Sequence, residues 1–341
     1  MQEEIIFEGG KLIQLNKNIK LFLNYCLGPV LFIWVCYSVY KQIVNQPDLE
    51  KHLAGIYKAA TGKEAWKLVA VFSLMFVNWG IEARKWQVLL TNLQKISFFQ
   101  SFKAILSGVA FSLNTPNRIG EYGGRVLFIP AQNRLRAISL TIAGSFSQLL
   151  ITLTLGAAGL FFLSEELAKA EMFNVLRIWL TVLKTLVIFA VGIGFIIYFR
   201  LSWLIRGVEK LPGLEKLVKH ISVLEGMNVT ILLRVLSLSL TRFMVFIVQY
   251  ILMLQLMQVE ISWWQGFWSV SVLFLLLATI PTIALLELGL RWEYSIVLLS
   301  LFSNNLVGIY AAATGIWLIN LVIPAMAGSL FMLTIRIYKL K

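Results

Sequence analysis

Aspartate is almost missing from this chain, for Asp48 is the only one in 341 residues. Membrane enzymes that move sugars or phospho-alcohols usually hold Mg²⁺ or Mn²⁺ with clustered carboxylates, and the sequence has no DxD, DD or comparable pair. A metal-dependent transferase is therefore disfavoured. Histidine is equally scarce. His52 and His220 each stand alone in charged amphipathic stretches, with no second His or Cys at ligand spacing, so no metal site is expected. Cys26 and Cys36 lie in one apolar run, ten residues apart. On a helix that is about 15 Å, too far for a disulfide. A Walker A pattern is also lacking, which excludes ATP as the direct driver of any transport. No cofactor is expected.

Charge of either sign is sparse. Charged residues make up 14% of the chain and hydrophobic ones 59%, against about 25% and roughly 45 to 50% in soluble domains. With a mean hydropathy of +0.80, the chain reads as an integral membrane protein. At about 20 residues per span, little is left for a water-soluble catalytic domain. The net charge of +13 reads first as positive-inside loops facing anionic headgroups rather than as a nucleic-acid site. The acidic start (Glu3, Glu4, Glu8), with no small-residue cleavage site after it, is unlike a signal peptide. The first apolar run is expected to stay in the mature protein.

Charge-free runs cover residues 21–40, 68–81, 104–117, 137–163, 185–199, 243–259, 261–286 and 294–335. The last is long enough for two pieces, and its polar centre Ser303-Asn304-Asn305 is the expected break. Residues 126–133 and 294–302 are too short to cross, and each follows a Pro-containing apolar run and a Glu. Short, broken pieces of this kind suit re-entrant hairpins, whose opened backbone must be covered by protein or water. With hairpins at 98–133 and 266–302, six full spans remain. A cytoplasmic N-terminus then puts 18 basic residues on the inner side and 7 on the outer. That bias supports cytoplasmic N- and C-termini, although the Lys-bearing segment 41–67 argues weakly against it.

The order of elements repeats with a period of about 166 residues. Span 21–40, connection 41–66, span 67–85, hairpin 98–133 and span 137–163 are followed by 178–199, 200–230, 235–258, 266–302 and 306–333. Both connections carry helical apolar spacing, as for helices lying in the interface. Three full spans per half make the second half run opposite to the first, an arrangement used by transporters. The alternative is that two hydrophobic halves look alike by chance. The expected fold is therefore all-α: two inverted-topology repeats, residues 1–166 and 167–341, forming a single membrane domain.

The hairpin turns carry a matched pair of motifs. Thr115-Pro116-Asn117-Arg118-Ile119-Gly120-Glu121-Tyr122-Gly123-Gly124-Arg125 faces Ile280-Pro281-Thr282 and the following residues to Glu287 and Arg291. The Pro, Glu and Arg positions differ by 165, 166 and 166. Proline disfavours helix in the residue before it, so each entering helix should end there. Glu followed four residues later by Arg is the favourable order for a pair on one helical face. Ionisable groups at membrane depth are costly, which makes Arg118, Glu121, Arg125, Glu287 and Arg291 candidate substrate-binding residues. The turns themselves are assigned to Thr115, Pro116, Asn117, Gly120, Pro281 and Thr282. On the alternative reading, the two Glu–Arg pairs only neutralise each other and hold the hairpins. Arg118 has no clear partner within its motif and is the best single candidate for a lipid phosphate contact, because a guanidinium binds phosphate oxygens bidentately. Glu82, Arg84 and Lys85 read as a positive-inside flank, and Trp263, Trp264 and Trp268 as an interfacial belt.

Thr115-Pro116-Asn117-Arg118-Ile119-Gly120-Glu121 resembles the TPGRIGE-type signature of the lysylphosphatidylglycerol synthase transmembrane-region family, the flippase-like domain of bacterial multiple peptide resistance factors and of many stand-alone bacterial and archaeal proteins. Length and span pattern extend the resemblance over nearly the whole chain, while the specific motif is confined to residues 115–121. The second hairpin departs from the family's Gly-rich stretch, carrying Thr282-Ile283-Ala284-Leu285-Leu286 before Glu287. The resemblance implies a lipid translocase of a prokaryotic inner membrane, with Arg118 and Glu121 as its motif positions. A chain that ends at Lys341 is not expected to carry the aminoacyltransferase domain of the two-part synthases. The expected cargo is a phospholipid, whether anionic, zwitterionic or aminoacylated, or a polyprenyl-phosphate carrier. The competing functions are a membrane enzyme acting on a lipid phosphate or sugar carrier, and a non-catalytic scaffold for a glycosyltransferase or synthase.

Overall fold

The computed structural model describes residues 61–113, 115, 118–169, 177–200, 215–280 and 284–332, with isolated positions beyond them. The span at 21–40, most of the connection at 41–66, residues 201–214 and both chain ends fall outside this set. All regular structure among the described residues is helical. Five helical stretches are long and apolar enough to cross a membrane: 65–89, 131–162, 181–199, 229–256 and 306–332. They coincide with five of the six spans read from the sequence.

In chain order the helices are α1 (Ala65–Leu89), α2 (Phe98–Ser112), α3 (Gly120–Val126), α4 (Arg134–Phe162), α5 (Ser164–Lys169), α6 (Arg177–Phe199), α7 (Glu215–Ile221), α8 (Val229–Leu256), α9 (Trp263–Thr279), α10 (Ala284–Leu299), α11 (Leu306–Trp317) and α12 (Ile323–Met332). Several ends are fixed by local chemistry. Ser97 with Gln100 and Ser262 with Gln265 form capping boxes at the starts of α2 and α9, satisfying amides that no helical carbonyl can reach. Asn228 and Asn305 cap α8 and α11. α8 closes with amide bonds from Gln258 to Gln255 and from Val259 to Leu254, a Schellman closure that holds Gln258 at φ 59°. α11 and α12 are one span joined by a π-helical turn, Leu318–Val322. Pro324 explains that turn, since it cannot donate to the carbonyl of Asn320 and its ring crowds it.

The spans end in two groups. At one end, Asn92 donates to the Gly226 carbonyl at 2.9 Å and Asn133 to Gln94 at 3.3 Å. The loops before α2, before α4 and before α8 therefore share that end. At the other, Asn305 donates to the carbonyls of Met257 and Gln258 at 3.1 and 3.0 Å, and the Phe162 and Trp264 rings touch at 5.3 Å. Residues 94 and 133 thus lie together at the first end, and residues 257 and 305 together at the second. Between them, α3 runs back along α2. A Cβ on Gly124 would sit 2.6 Å from the Gly108 Cα, so only a glycine permits that approach. Small residues bring other helices equally close, as in membrane bundles generally: Gly328 of α12 against Leu106 of α2, and Gly156 and Gly159 of α4 against Leu275 and Val272 of α9.

The most extensive packing joins α1 to α8, α2 to α12, α2 to α3 and α4 to α9. Large apolar side chains on the outer faces remain exposed, Phe76 on α1, Leu149 on α4, and Leu186, Phe189 and Ile193 on α6 among them. A soluble monomer rarely leaves so much contiguous apolar surface in water. With the five long apolar helices, this makes the chain a membrane-embedded all-α protein. Trp263 and Trp264 are exposed as a belt requires, but Trp268 is buried and stacks on Phe162 at 4.5 Å. It belongs to the core, where α9 meets the end of α4.

Candidate functional site

The turn after α2 is built around Thr115. Its hydroxyl accepts the Gly120 amide at 2.9 Å and donates back toward the carbonyls of Phe111 and Ser112, closing the end of α2. Gly120 follows from the same closeness, for a Cβ there would lie 2.3 Å from the Phe111 carbonyl oxygen. Arg118 occupies the left-handed region at φ 56°, which costs a non-glycine residue roughly 1 to 2 kcal/mol. Ile280 ends α9 with extended backbone, φ −109° and ψ 113°, the conformation expected before Pro281. Pro116, Asn117, Pro281 and Thr282 lie outside the described residues.

Arg118 has a partner after all, and it comes from the first turn of α10. Its Nη2 donates to both carboxylate oxygens of Glu287, at 2.9 and 3.2 Å. No motif-internal argument could find this pair, because 169 residues separate the two. Glu287 also accepts from Arg291 at 2.8 Å, and Glu121 pairs with Arg125 at 3.0 Å, so both four-residue pairs form. The carboxylate of Glu287 serves two arginines. The Arg118 side chain keeps 42% of its surface exposed, and only Nη2 is engaged among the described residues.

Glu82 and Lys85, which look like a positive-inside flank in the sequence, are buried instead. Only Arg84 is exposed, bonded to Gln87. The Glu82 carboxylate lies 2.7 Å from Lys85, 3.0 Å from Arg242 and 3.1 Å from Arg125. It is the hub that ties α1, α3 and α8 together. Arg242 also donates from Nε to Asn78 at 2.8 Å and lies over the rings of Trp79 and Phe246, so two aromatic rings help to hold it. Asn78 meets Asn320 at 3.4 Å, Asn320 donates to Gln249 at 3.0 Å, and Gln249 donates to the Val71 carbonyl. This polar chain crosses the bundle core from the π-helical turn to Glu82. Turns of that kind recur at functional sites. Sequence reasoning missed Arg242, Asn78, Asn320 and Gln249. The available signal was Arg242 itself, a charge well inside a 28-residue apolar helix whose other charge, Arg234, lies near its start; a charge so placed is by default a functional residue.

These groups enclose a cavity of about 300 Å³, at the lower end of small-molecule sites. Its charged lining is Arg118, Arg242, Arg291 and Glu287. Phe243, Phe246, Phe274, Leu277, Ile316 and Leu321 supply most of the apolar wall. Trp79 and Trp317 also line it, and their buried indole N–H groups, like the Nε of Arg291, lack a partner among the described residues. Gln148 adds a carbonyl oxygen with no partner among the described residues. Glu121 and Arg125 are outside the lining and reach the cavity only through Glu82 and Arg242. Among the described residues, no three His, Cys, Asp or Glu side chains converge as a metal would need. The donor-rich, cation-rich chamber is suited to holding an anionic group beside hydrocarbon.

Comparison of the chain with protein-family models and with curated proteins finds no match.

Proposed function

We propose that this protein is a lipid translocase, moving a lipid with a phosphate headgroup between leaflets. The observation that carries the reading is the chamber where the two hairpin turns meet, lined by three arginines and one carboxylate within an apolar bundle. Buried cations at that density are costly in a bilayer and are retained where they handle a charged cargo. The cavity holds a headgroup and its first carbons, while acyl or prenyl chains stay among the helices and lipid.

In this reading the chain is two inverted repeats with re-entrant hairpins entering from opposite faces. Exchange of equivalent packing partners supports the repeat. Swapping α1 with α8, α2 with α9, and α4 with α11 and α12 turns the α4–α9 contact into the α2–α12 contact, and both are extensive. The two capping boxes are also offset by 165 residues, Ser97 against Ser262 and Gln100 against Gln265, like the prolines of the turns. Such a pairing lets one hairpin yield as the other closes, and the Arg118–Glu287 contact is the joint between them.

The end bearing Asn92, Asn133 and Gly226 collects segments rich in Lys and Arg, which supports a cytoplasmic position for it. The likeness of residues 115–121 to the lysylphosphatidylglycerol synthase transmembrane-region signature supports the same function and a prokaryotic inner membrane. Purified protein reconstituted in liposomes with a labelled phospholipid tests the reading. Translocation above that of protein-free liposomes, lost in Arg242→Gln, is the expected result; equal rates with and without protein for every phosphate lipid tried would refute it.

A further inference from the structure

The charges around the chamber do not cancel. Two ion-pair clusters meet there, Lys85, Arg125 and Arg242 with Glu82 and Glu121, and Arg118 and Arg291 with Glu287, five cations against three carboxylates. The excess is two positive charges. Counting only the groups that line the cavity leads to the same figure, since three arginines face the single carboxylate of Glu287. Each is shielded from water except Arg118. Uncompensated charge in such surroundings is strongly unfavourable, so the occupied chamber is most stable when the occupant brings two negative charges.

Resting on the translocase reading, we infer that the chamber selects a phosphate group carrying two negative charges, a monoester, over the singly charged diester of ordinary glycerophospholipids. A monoester phosphate has nearly two charges at neutral pH and three terminal acceptor oxygens. A diester offers one charge and two such oxygens, leaving a buried cation unbalanced. The donors fit that count. Arg118 has guanidinium nitrogens outside its Glu287 contact, and the buried N–H groups of Trp79, Trp317 and Arg291 are unpaired among the described residues. All belong to residues lining the cavity. The aromatic and aliphatic wall, Phe243, Phe246, Phe274 and Leu277 among it, suits the first carbons of a single chain.

The test compares two probes that differ by one methyl group and one charge, dodecyl phosphate and methyl dodecyl phosphate. Binding to the full-length protein in nanodiscs is read by calorimetry against empty nanodiscs. At pH 8 the monoester binds more tightly by about tenfold or more, because an extra charge near buried guanidinium groups is weakly screened. At pH 5 the preference collapses, since the monoester then takes up one proton and carries a single negative charge, like the diester. Arg242→Gln removes one excess charge and reduces the preference. Arg118→Gln, at a half-exposed side chain, does the same if Arg242→Gln fails to fold. Glu287→Gln adds one excess charge and strengthens monoester binding. Inorganic phosphate as competitor separates the sources: displacement at equal concentration indicates a free dianion, and displacement only at about hundredfold excess indicates a lipid-borne one, the chain burial supplying the difference. Equal binding of the two probes at pH 8, or tighter binding of the diester, overturns the inference and leaves translocation of diester lipids to be judged by the liposome assay. Monoester preference without transport of any phosphate lipid overturns the translocase reading instead.

Discussion

Arg118 Nη2 lies 2.9 Å from Glu287 Oε2, so the turn after α2 and the first turn of α10 hold each other by an ion pair across 169 residues of sequence. Arg118 maintains this while sitting in a left-handed conformation. If the pair is the joint between hairpins, its geometry matters as well as its charge. Arg118→Lys is expected to reduce lipid translocation in liposomes severalfold although the charge is kept, because an ammonium does not reproduce a guanidinium that holds Glu287 through Nη2 and keeps further N–H donors for a phosphate. Thermal stability should fall by no more than about 1 kcal/mol, the pair being partly exposed. Unchanged transport in a stable Arg118→Lys protein would make the pair a dispensable brace.

The two four-residue pairs separate function from scaffolding. Glu121→Gln and Glu287→Gln each leave a partner arginine with less compensation, and each single variant should lose stability. Adding Arg125→Gln to the first, or Arg291→Gln to the second, should recover part of that loss, which a double-mutant cycle measures. Transport is the deciding readout. A stable Glu287→Gln/Arg291→Gln protein that still transports at the native rate would show that these residues only hold the second hairpin.

The sequence made both pairs legible because they are local, four residues apart on one helix. It made the five described spans legible because apolar length is a property of a segment. The break at Ser303-Asn304-Asn305 was readable for the same reason, and Asn305 does cap α11. What it hid was the company each charge keeps. Glu82 and Lys85 follow a run of apolar residues as any cytoplasmic flank does, and only the packing of α3 and α8 on α1 turns them inward. Arg242 was visible as a charge deep within an apolar helix, yet its partners Glu82 and Asn78 lie more than 150 residues away. The matched capping boxes were also on view, as Ser-x-x-Gln before two apolar runs, and would have added a third marker to the repeat.

Glu82 is the compensating charge for three cations, and removing it should be the most damaging single change in the bundle. Glu82→Gln leaves Lys85 and Arg242 without a carboxylate and Arg125 with Glu121 alone, at an expected cost of about 3 to 5 kcal/mol. Denaturation in detergent measures the loss. Adding Lys85→Met removes one of the stranded cations and should restore part of it. Wild-type stability in Glu82→Gln alone would mean that the hub contributes nothing to holding α1, α3 and α8 together.

Close packing supplies a control within one helix of seven residues, α3. Gly124→Ala drives a methyl group into Gly108 and the Ser107 carbonyl and should destabilise by about 1 to 3 kcal/mol. Its neighbour Gly123 has open space where a Cβ would go, and Gly123→Ala should be neutral or stabilise by about 0.5 to 1 kcal/mol through the helix. Equal effects at the two positions would contradict the packing of α3 on α2.

The proposed orientation rests on the Lys- and Arg-rich end facing the cytoplasm. Lys95 is exposed near the Gln94–Asn133 contact, and Glu165 is exposed just beyond α4 at the opposite end. α4 has 29 residues, about 43 Å of helix, enough to separate these positions across a bilayer. After replacement of Cys26 and Cys36, a cysteine introduced as Glu165→Cys should react with an impermeant maleimide in intact cells, whereas Lys95→Cys should react only after permeabilisation. The reverse pattern would invert the protein in the membrane while leaving the fold untouched, and the Lys- and Arg-rich end would then face outward. Reaction of both in intact cells would be more serious, because it would place both ends of α4 on one side and end the reading of α4 as a span.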